Sequence, residues 1–359
     1  INGNKRISDE TVKVYGEIEI NKDYSKQDLD RILKNLYQTN FFENVLVNIQ
    51  NGILKINLQE YKTINAILFE GEPAEKFVAE LKKRISSRDK GSFITGFIKE
   101  DENLIKLFYQ SLGYNFIEVS SKYEEFDSDR VNLYFFIDKK DKTKISKINF
   151  IGDKKLRDSK LRDIIVSEEH KFWKIISNNI YLKQDNIELD KRLLTNFYKS
   201  SGYYDVQIVS DFTEINKNNE STITYNINAG TRYKIYKIST NVAPTLQKDK
   251  FAPLRKTYDE YIGKYYSPFS IKKMLDRLDE LIVDNDLQFI EHSVSEILDG
   301  NRIEIVFNIT EGPRISVERI NIDGNRITNE EVIRSELLLD EGDPYNKTKL
   351  SKSIAELKS

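Results

Sequence analysis

Two histidines, His170 and His292, and no cysteine make up the usual transition-metal ligands of this 359-residue chain. They stand far apart and no His-Glu-x-x-His spacing occurs, so no metal site is expected. Carboxylates are abundant, but pairs such as Glu124-Glu125, Glu168-Glu169 and Glu330-Glu331 are adjacent in sequence. Neighbouring side chains diverge on helix and strand alike, which suits solvated charge better than an acid–base pair. No Gly-x-Gly-x-x-Gly, phosphate loop or Gly-x-Ser-x-Gly appears, so neither a cofactor nor common hydrolase chemistry is signalled. The one short basic run, Lys139 to Lys144, is broken by Asp141, and the formal net charge is -2. Nucleic acid is a poor partner for such a balance. The chain reads as a non-enzyme.

The elements that remain must therefore serve binding. At 359 residues, with 39% hydrophobic and 32% charged positions, 20 Tyr and 19 Phe, the chain suits several modest cores. Without cysteine no disulfide framework is possible. No apolar run approaches the roughly 18 residues of a spanning helix, and the N-terminus lacks a signal-peptide layout. The expectation is a soluble segment excised from something longer.

Leu29, Ile32, Leu33, Leu36 and Tyr37 form a helical stripe that Ser25 and Asp28 start with a capping box. The period then becomes two: Val45, Val47 and Ile49, the turn Asn51-Gly52, then Leu54, Ile56 and Leu58. Helix-then-hairpin order returns with helices around Leu104–Leu112, Leu193–Phe197 and Ile271–Leu281. Units open with a short apolar strand and often a Gly turn, at Gly3-Asn4, Gly71-Glu72, Gly152-Asp153 and Gly324-Asn325, whereas the fourth, at Ile235–Ile238, lacks the Gly. Asn40, Gly113, Gly202 and Asp286 mark the helix-to-strand turns, 73, 89 and 84 residues apart. Such periods imply tandem β-α-α-β-β domains, each a three-stranded mixed sheet packed on two helices: an elongated α+β protein. The boundaries are 1–62, 63–142, 143–232, 233–314 and a fifth unit, 315–359, cut short inside a helix.

The stretches Leu104-Ile105-Lys106-Leu107-Phe108-Tyr109-Gln110-Ser111-Leu112-Gly113-Tyr114 and Leu193-Leu194-Thr195-Asn196-Phe197-Tyr198-Lys199-Ser200-Ser201-Gly202-Tyr203 resemble the second-helix and Gly-Tyr motif of POTRA domains. Gly ends the helix in a left-handed turn and the aromatic fills the helix–sheet seam. The first unit has Asn40-Phe41 at this place and the fourth Asp286-Leu287. The insertion Lys171-Phe172-Trp173-Lys174 is similar to a longer third domain in the outer-membrane protein assembly factors. The resemblance covers essentially the whole chain. It implies a scaffold on the periplasmic face of the bacterial outer membrane, continuous with a membrane β-barrel absent from this sequence. Its partners would be unfolded outer-membrane proteins and accessory lipoproteins.

A sheet covered on one face leaves edge strands with unpaired N–H and C=O groups that can template another strand. At about 0.5–1.5 kcal/mol net per hydrogen bond, such pairing is weak and reversible. The edge strand expected to bind clients or an accessory lipoprotein is Val206, Gln207, Ile208, Val209, Ser210, Asp211 and Phe212 in the third unit. By the resemblance, Arg334 and Glu341 of the fifth unit dock an accessory lipoprotein. Two alternatives stay open. One is the POTRA region of another transporter, of the autotransporter-translocation or two-partner secretion kind, with fewer units. The other is a small multidomain enzyme, whose mark would be a polar cleft with converging carboxylates.

Overall fold

The computed structural model describes residues 1–173, 177–325 and 328–358, so Lys174 of the inserted quartet lies outside the described residues. Contacts divide the chain into two compact units. One is Ile1–Lys147 with Ser167–Ile187 and Glu214–Thr222; the other is Ile148–Val166 with Glu188–Thr213 and Ile223–Ser359.

In the first repeat Ser8 caps α1 (Asp9–Tyr15), and the Ser25–Asp28 capping box starts α2 (Lys26–Gln38). The hairpin β1 (Phe42–Gln50) and β2 (Ile53–Glu60) turns through Asn51 and Gly52 at φ 52° and 76°, the left-handed pair that an Asn-Gly hairpin favours. Val12, Ile32, Leu36, Phe42, Val45, Ile56 and Leu58 form its core.

The second repeat comprises β3 (Thr63–Glu70), α3 (Glu75–Arg84), α4 (Thr95–Ser111), β4 (Glu118–Glu125) and β5 (Arg130–Asp138). The third comprises β6 (Lys144–Asp153), α5 (Asp158–Arg162), α6 (Gln184–Ser200), β7 (Gln207–Ile215) and β8 (Glu220–Asn228). The fourth comprises β9 (Lys234–Val242), α7 (Leu254–Asp259), α8 (Pro268–Asp284), β10 (Ile290–Asp299) and β11 (Arg302–Glu311). Their sheets run β3–β5–β4, β6–β8–β7 and β10–β11–β9. β3 and β9 lie parallel to the central strands β5 and β11, with β4 and β10 antiparallel. Two intervening helices bring each opening strand back parallel, and their apolar stripes fill one sheet face. This is the α+β, mixed three-stranded architecture expected.

The opening strands of the first and fifth units are reduced. Asn2 makes a single bridge to Asn57, and Ser316 one to Pro344. In place of a fifth sheet stand α9 (Glu330–Ser335) and α10 (Lys347–Glu356).

The strand-to-helix glycines have one cause: a Cβ on Gly3, Gly71 or Gly152 would run into the carbonyl oxygen of Leu58, Ile137 or Ile227 on the central strand. In the fourth repeat β9 stays in register to Val242, opposite Ile309, and the Ala243 N–H bonds the Ile309 carbonyl at 2.9 Å. The strand there runs on where the others turn, so no glycine is required.

Two buried carboxylates were not anticipated from sequence. Asp101 on α4 accepts the N–H groups of Ser86 (2.5 Å) and Ser87 (3.0 Å) just after α3. Asp190 on α6 accepts the Val166 N–H (2.6 Å) and the Tyr225 hydroxyl (2.8 Å). Each precedes its turn glycine by twelve positions and ties the second helix to the chain leaving the first.

Glu60, with a side chain only 6% exposed, accepts the N–H groups of Lys5 (2.6 Å), Arg6 (2.9 Å) and Ile7 (3.0 Å) and the Arg6 guanidinium (3.0 Å). Burial pushes its carboxyl upward, but these donors together hold it below the ordinary 4.5. The folded-state value is depressed, so this stabilisation is present above the unfolded value and lost as pH falls through the folded one. Wild type should therefore lose stability on acidification from pH 5 more steeply than Glu60→Gln, as read by urea unfolding at a series of pH values. Gly52→Ala, with open space around it at φ 76°, should cost about 1 kcal/mol of left-handed strain. Gly71→Ala must also displace β5, and denaturant midpoints should show a loss upward of about 3 kcal/mol.

Candidate functional site: open sheet edges and the joints between repeats

One edge of each sheet is closed by the loop between its two helices. At β3, Lys90 and Phe93 donate to the Ile64 and Lys62 carbonyls (2.8 and 2.7 Å), and Ile64 donates to Gly91 (2.8 Å). At β6, His170 donates to Ile145 (2.7 Å) and Leu182 to Thr143 (2.9 Å). At β9, Ile235 donates to Lys264 (2.9 Å) and Gly263 to Ile235 (2.7 Å). The opposite edges are β4, β7 and β10, with β1 holding that place in the first hairpin.

The segment expected to bind clients overlaps β7 with an offset. Val206 is 6% exposed and precedes the strand, while Gln207, Ile208, Val209, Ser210, Asp211 and Phe212 lie in it and the strand continues to Ile215. Val209 and Phe212 are 59% and 58% exposed. Asp211 turns to α6 and accepts from the Lys191 ammonium at 2.9 Å, a bond that raises the Lys191 pKa. β7 thus offers backbone and apolar side chains with its central charge compensated from within.

The helix-exit turns do more than fill a seam. Gly113 and Gly202 both sit at φ 99°, and Asn40 (59°) and Asp286 (48°) hold the same left-handed conformation. Asn and Asp are the side chains best suited to replace Gly there, which accounts for the two departures from Gly-Tyr. The Gly113 carbonyl accepts the Thr143 N–H (3.0 Å), and the Gly202 carbonyl accepts the Tyr233 N–H (2.8 Å). The first residue of the next repeat is thereby bonded to the turn.

A Cβ on Gly113 would lie 3.1 Å from that of Tyr181, and one on Gly202 3.1 Å from that of Tyr265. A cation fills each joint: Lys142 Nζ lies 5.1 and 5.0 Å from the Tyr114 and Tyr181 rings, and the Arg232 guanidinium 5.7 and 3.5 Å from Tyr203 and Tyr265. Burial lowers the Lys142 pKa, helped by nearby Lys183. At the second of these joints Tyr204 packs on the core of the fourth repeat, 5.0 Å from Tyr266 and 6.1 Å from Tyr233. Its bond to Glu296, with burial adding, pushes the Tyr204 hydroxyl up to about 12.

Arg334 and Glu341 come together at 3.5 Å. Arg334 also pairs with Glu330 (2.8 Å) and donates to the Ile320 carbonyl (2.9 Å), while Glu341 accepts the Ile320 N–H (3.0 Å). Both side chains brace the 315–322 segment while staying part exposed. His292 lies 2.8 Å from Asp279 on α8, a pairing thirteen residues apart that spacing rules do not reveal. Among the described residues no group of three or more His, Asp or Glu is placed to hold a metal, and no helix is long and apolar enough to cross a membrane.

A groove of about 540 Å³ lies at the β4 end of the second repeat, lined by Lys106, Ile117, Val119 and Phe136 among others. A smaller one, about 200 Å³, holds Asp286, Asp343 and Lys349. Its carboxylates are engaged: Asp286 lies 3.7 Å from Lys349, and Asp343 accepts the Asp340 N–H at 2.9 Å. They do not form the converging acid–base pair that a cleft enzyme would need.

Comparison with known proteins matches residues 62–140, 143–230 and 315–359 to the POTRA family, described as a surface antigen variable number repeat. The outer membrane protein assembly factor BamA of Neorickettsia risticii is 23% identical over 355 residues, covering 98% of this chain and 47% of the relative. The BamA of Neisseria meningitidis serogroup B is 25% identical over 363 residues, covering 98% and 45%. The chain spans just under half the length of these relatives. A crystal structure of Haemophilus influenzae BamA POTRA3-5 aligns over 70% of this chain and 96% of its own at 12% identity, with a TM-score of 0.38, too loose a superposition to bear weight.

The third-to-fourth joint offers a direct check on the clamp. Arg232→Ala removes the cation from between Tyr203 and Tyr265. Hydrogen exchange at the Tyr233 amide, which bonds Gly202, should then speed up about tenfold, as loss of roughly 1.4 kcal/mol implies. Amides of the central strand β11 should stay as protected as in wild type.

Proposed function

The chain belongs to the POTRA family, and from that premise we propose that it is the periplasmic scaffold of an outer-membrane β-barrel assembly factor, holding unfolded barrel proteins and accessory lipoproteins by strand addition. On this reading the repeats are 1–62, 63–142, 143–232, 233–314 and 315–359, they stand at the periplasmic face of the outer membrane, and a membrane barrel continues the chain. No catalytic role is part of it.

The observation that carries the proposal is the asymmetry of the third sheet. Its β6 edge is closed by its own loop, while β7 is a long outer strand with exposed Val209 and Phe212. An extended client can add its backbone there without reading sequence, and apolar residues of a barrel strand would find exposed Val209 or Phe212 beside them. Arg334 and Glu341 are the proposed docking pair for an accessory lipoprotein, held in place by their mutual contact and by Ile320.

Backbone N–H groups of an edge strand point alternately toward the sheet and away from it. Of Ile208→Pro and Val209→Pro, one therefore removes an outward donor and the other attacks the bond to β8. NMR titration of both variants with a peptide copying a barrel strand should show one folded protein with peptide shifts lost across Gln207–Ile215. Two folded variants that bind like wild type would sink the strand-addition reading.

A further inference from the structure

Between the first helix and the buried carboxylate on the second, the third repeat is nine residues longer than the second repeat. Ser86 meets Asp101 fifteen positions on, whereas Val166 meets Asp190 twenty-four positions on. The neck of this insertion is fixed by backbone bonds, Glu168 N–H to the Asn179 carbonyl (3.0 Å) and His170 N–H to that of Ile145 (2.7 Å), and buried Ile180 anchors its return. Past the neck stand Phe172 and Trp173, 82% and 63% exposed, edge to face at 4.5 Å. The Lys171 ammonium lies 5.7 Å from the indole.

We propose that this tip seats in the interfacial layer of a phospholipid bilayer, the two rings among the upper acyl chains and Lys171 at the phosphates. An indole beside an aliphatic-stemmed cation matches that layer, apolar on one side and wet and anionic on the other. A protein partner fits less well, because energetic aromatic anchors lie within a closely packed patch whose rim excludes water. Here the described exposed feature is two rings beside one cation. The bonds at Glu168 and His170 fix the chain leading into the pair, so part of the ordering cost is met before contact. The inference rests on the preceding reading only for what brings the chain to a membrane.

Trp173 is the chain's sole tryptophan, so its emission reports on the tip alone. The full chain is titrated with vesicles of phosphatidylethanolamine and phosphatidylglycerol. The emission maximum should move to shorter wavelength, acrylamide should lose access, and lipids brominated near the ester end of the chains should quench it. Phe172→Ala should weaken partition about tenfold, the cost of leaving one ring's burial unmade. Lys171→Glu should weaken it on these vesicles and less on phosphatidylcholine alone. Both sites are exposed, and circular dichroism confirms that the fold is kept. Unchanged emission with vesicles overturns the proposal, as does a shift produced by a barrel-strand peptide and not by lipid. The β7 proline variants should partition like wild type, so failure of strand addition and failure of lipid contact are read separately.

Discussion

A left-handed residue at the exit of each second helix is the constraint from which the rest of the architecture follows. Gly113, Gly202, Asn40 and Asp286 hold it at φ between 48° and 99°. The turn stops the helix and aims the chain into the outer strand of the sheet. At Gly113 and Gly202 it also leaves a carbonyl for the first amide of the next repeat. At those two turns helix length, strand direction and joint are thus set at one backbone position. At the first and fourth turns the accepting carbonyl moves to Phe41 and Phe289, bonded by Tyr61 and Gly312. The glycine clamp with its tyrosines and cation belongs to the two central joints.

The closed edge is a second consequence of the same order of elements. An opening strand parallel to the central one needs a crossover, and the helices that make it leave a loop beside that strand. The loop's amides and carbonyls bond the strand at Ile64, Ile145 and Ile235. What remains open lies on the far side, after the turn.

Much of this was legible in the residues. Ser25 with Asp28, Asn51-Gly52 and the change of period from helical to alternating each act within a few positions, and the structure bears them out. What escaped acts across the fold. Asp101 and Asp190 look like surface carboxylates on helices until the chain leaving α3 or α5 is brought beside them, although their common distance of twelve from Gly113 and Gly202 is a signal that aligning the repeats exposes. His292 and Asp279 meet because β10 packs on α8. Val206 alternates with Ile208 as a strand residue does, yet it is buried in the turn before β7, because the strand begins only after the chain has left the helix seam. Where an opening strand was expected at Ile315, the described residues hold a single bridge, Ser316 to Pro344.

The outer edges differ in the charges they carry, and on the proposed strand addition that difference sets how readily each would admit another strand. β4 carries Glu118, Lys122, Glu124 and Glu125, with Glu124 paired to Lys122 and Glu125 to Lys62, and β10 carries Glu291, Glu296 and Asp299, with Glu296 accepting from Tyr266 and Asp299 paired to Arg302. An incoming strand must desolvate such groups or stand them opposite its own, which is how natural sheets discourage edge-to-edge association. β7 has Asp211 and Glu214, and Lys191 already neutralises the first from below. Its neighbours Val209 and Phe212 gain by being covered. On the proposed strand addition, selection among the repeats would rest on how many charges an arriving chain covers: more on β4 and β10 than on β7, which also offers exposed Val209 and Phe212.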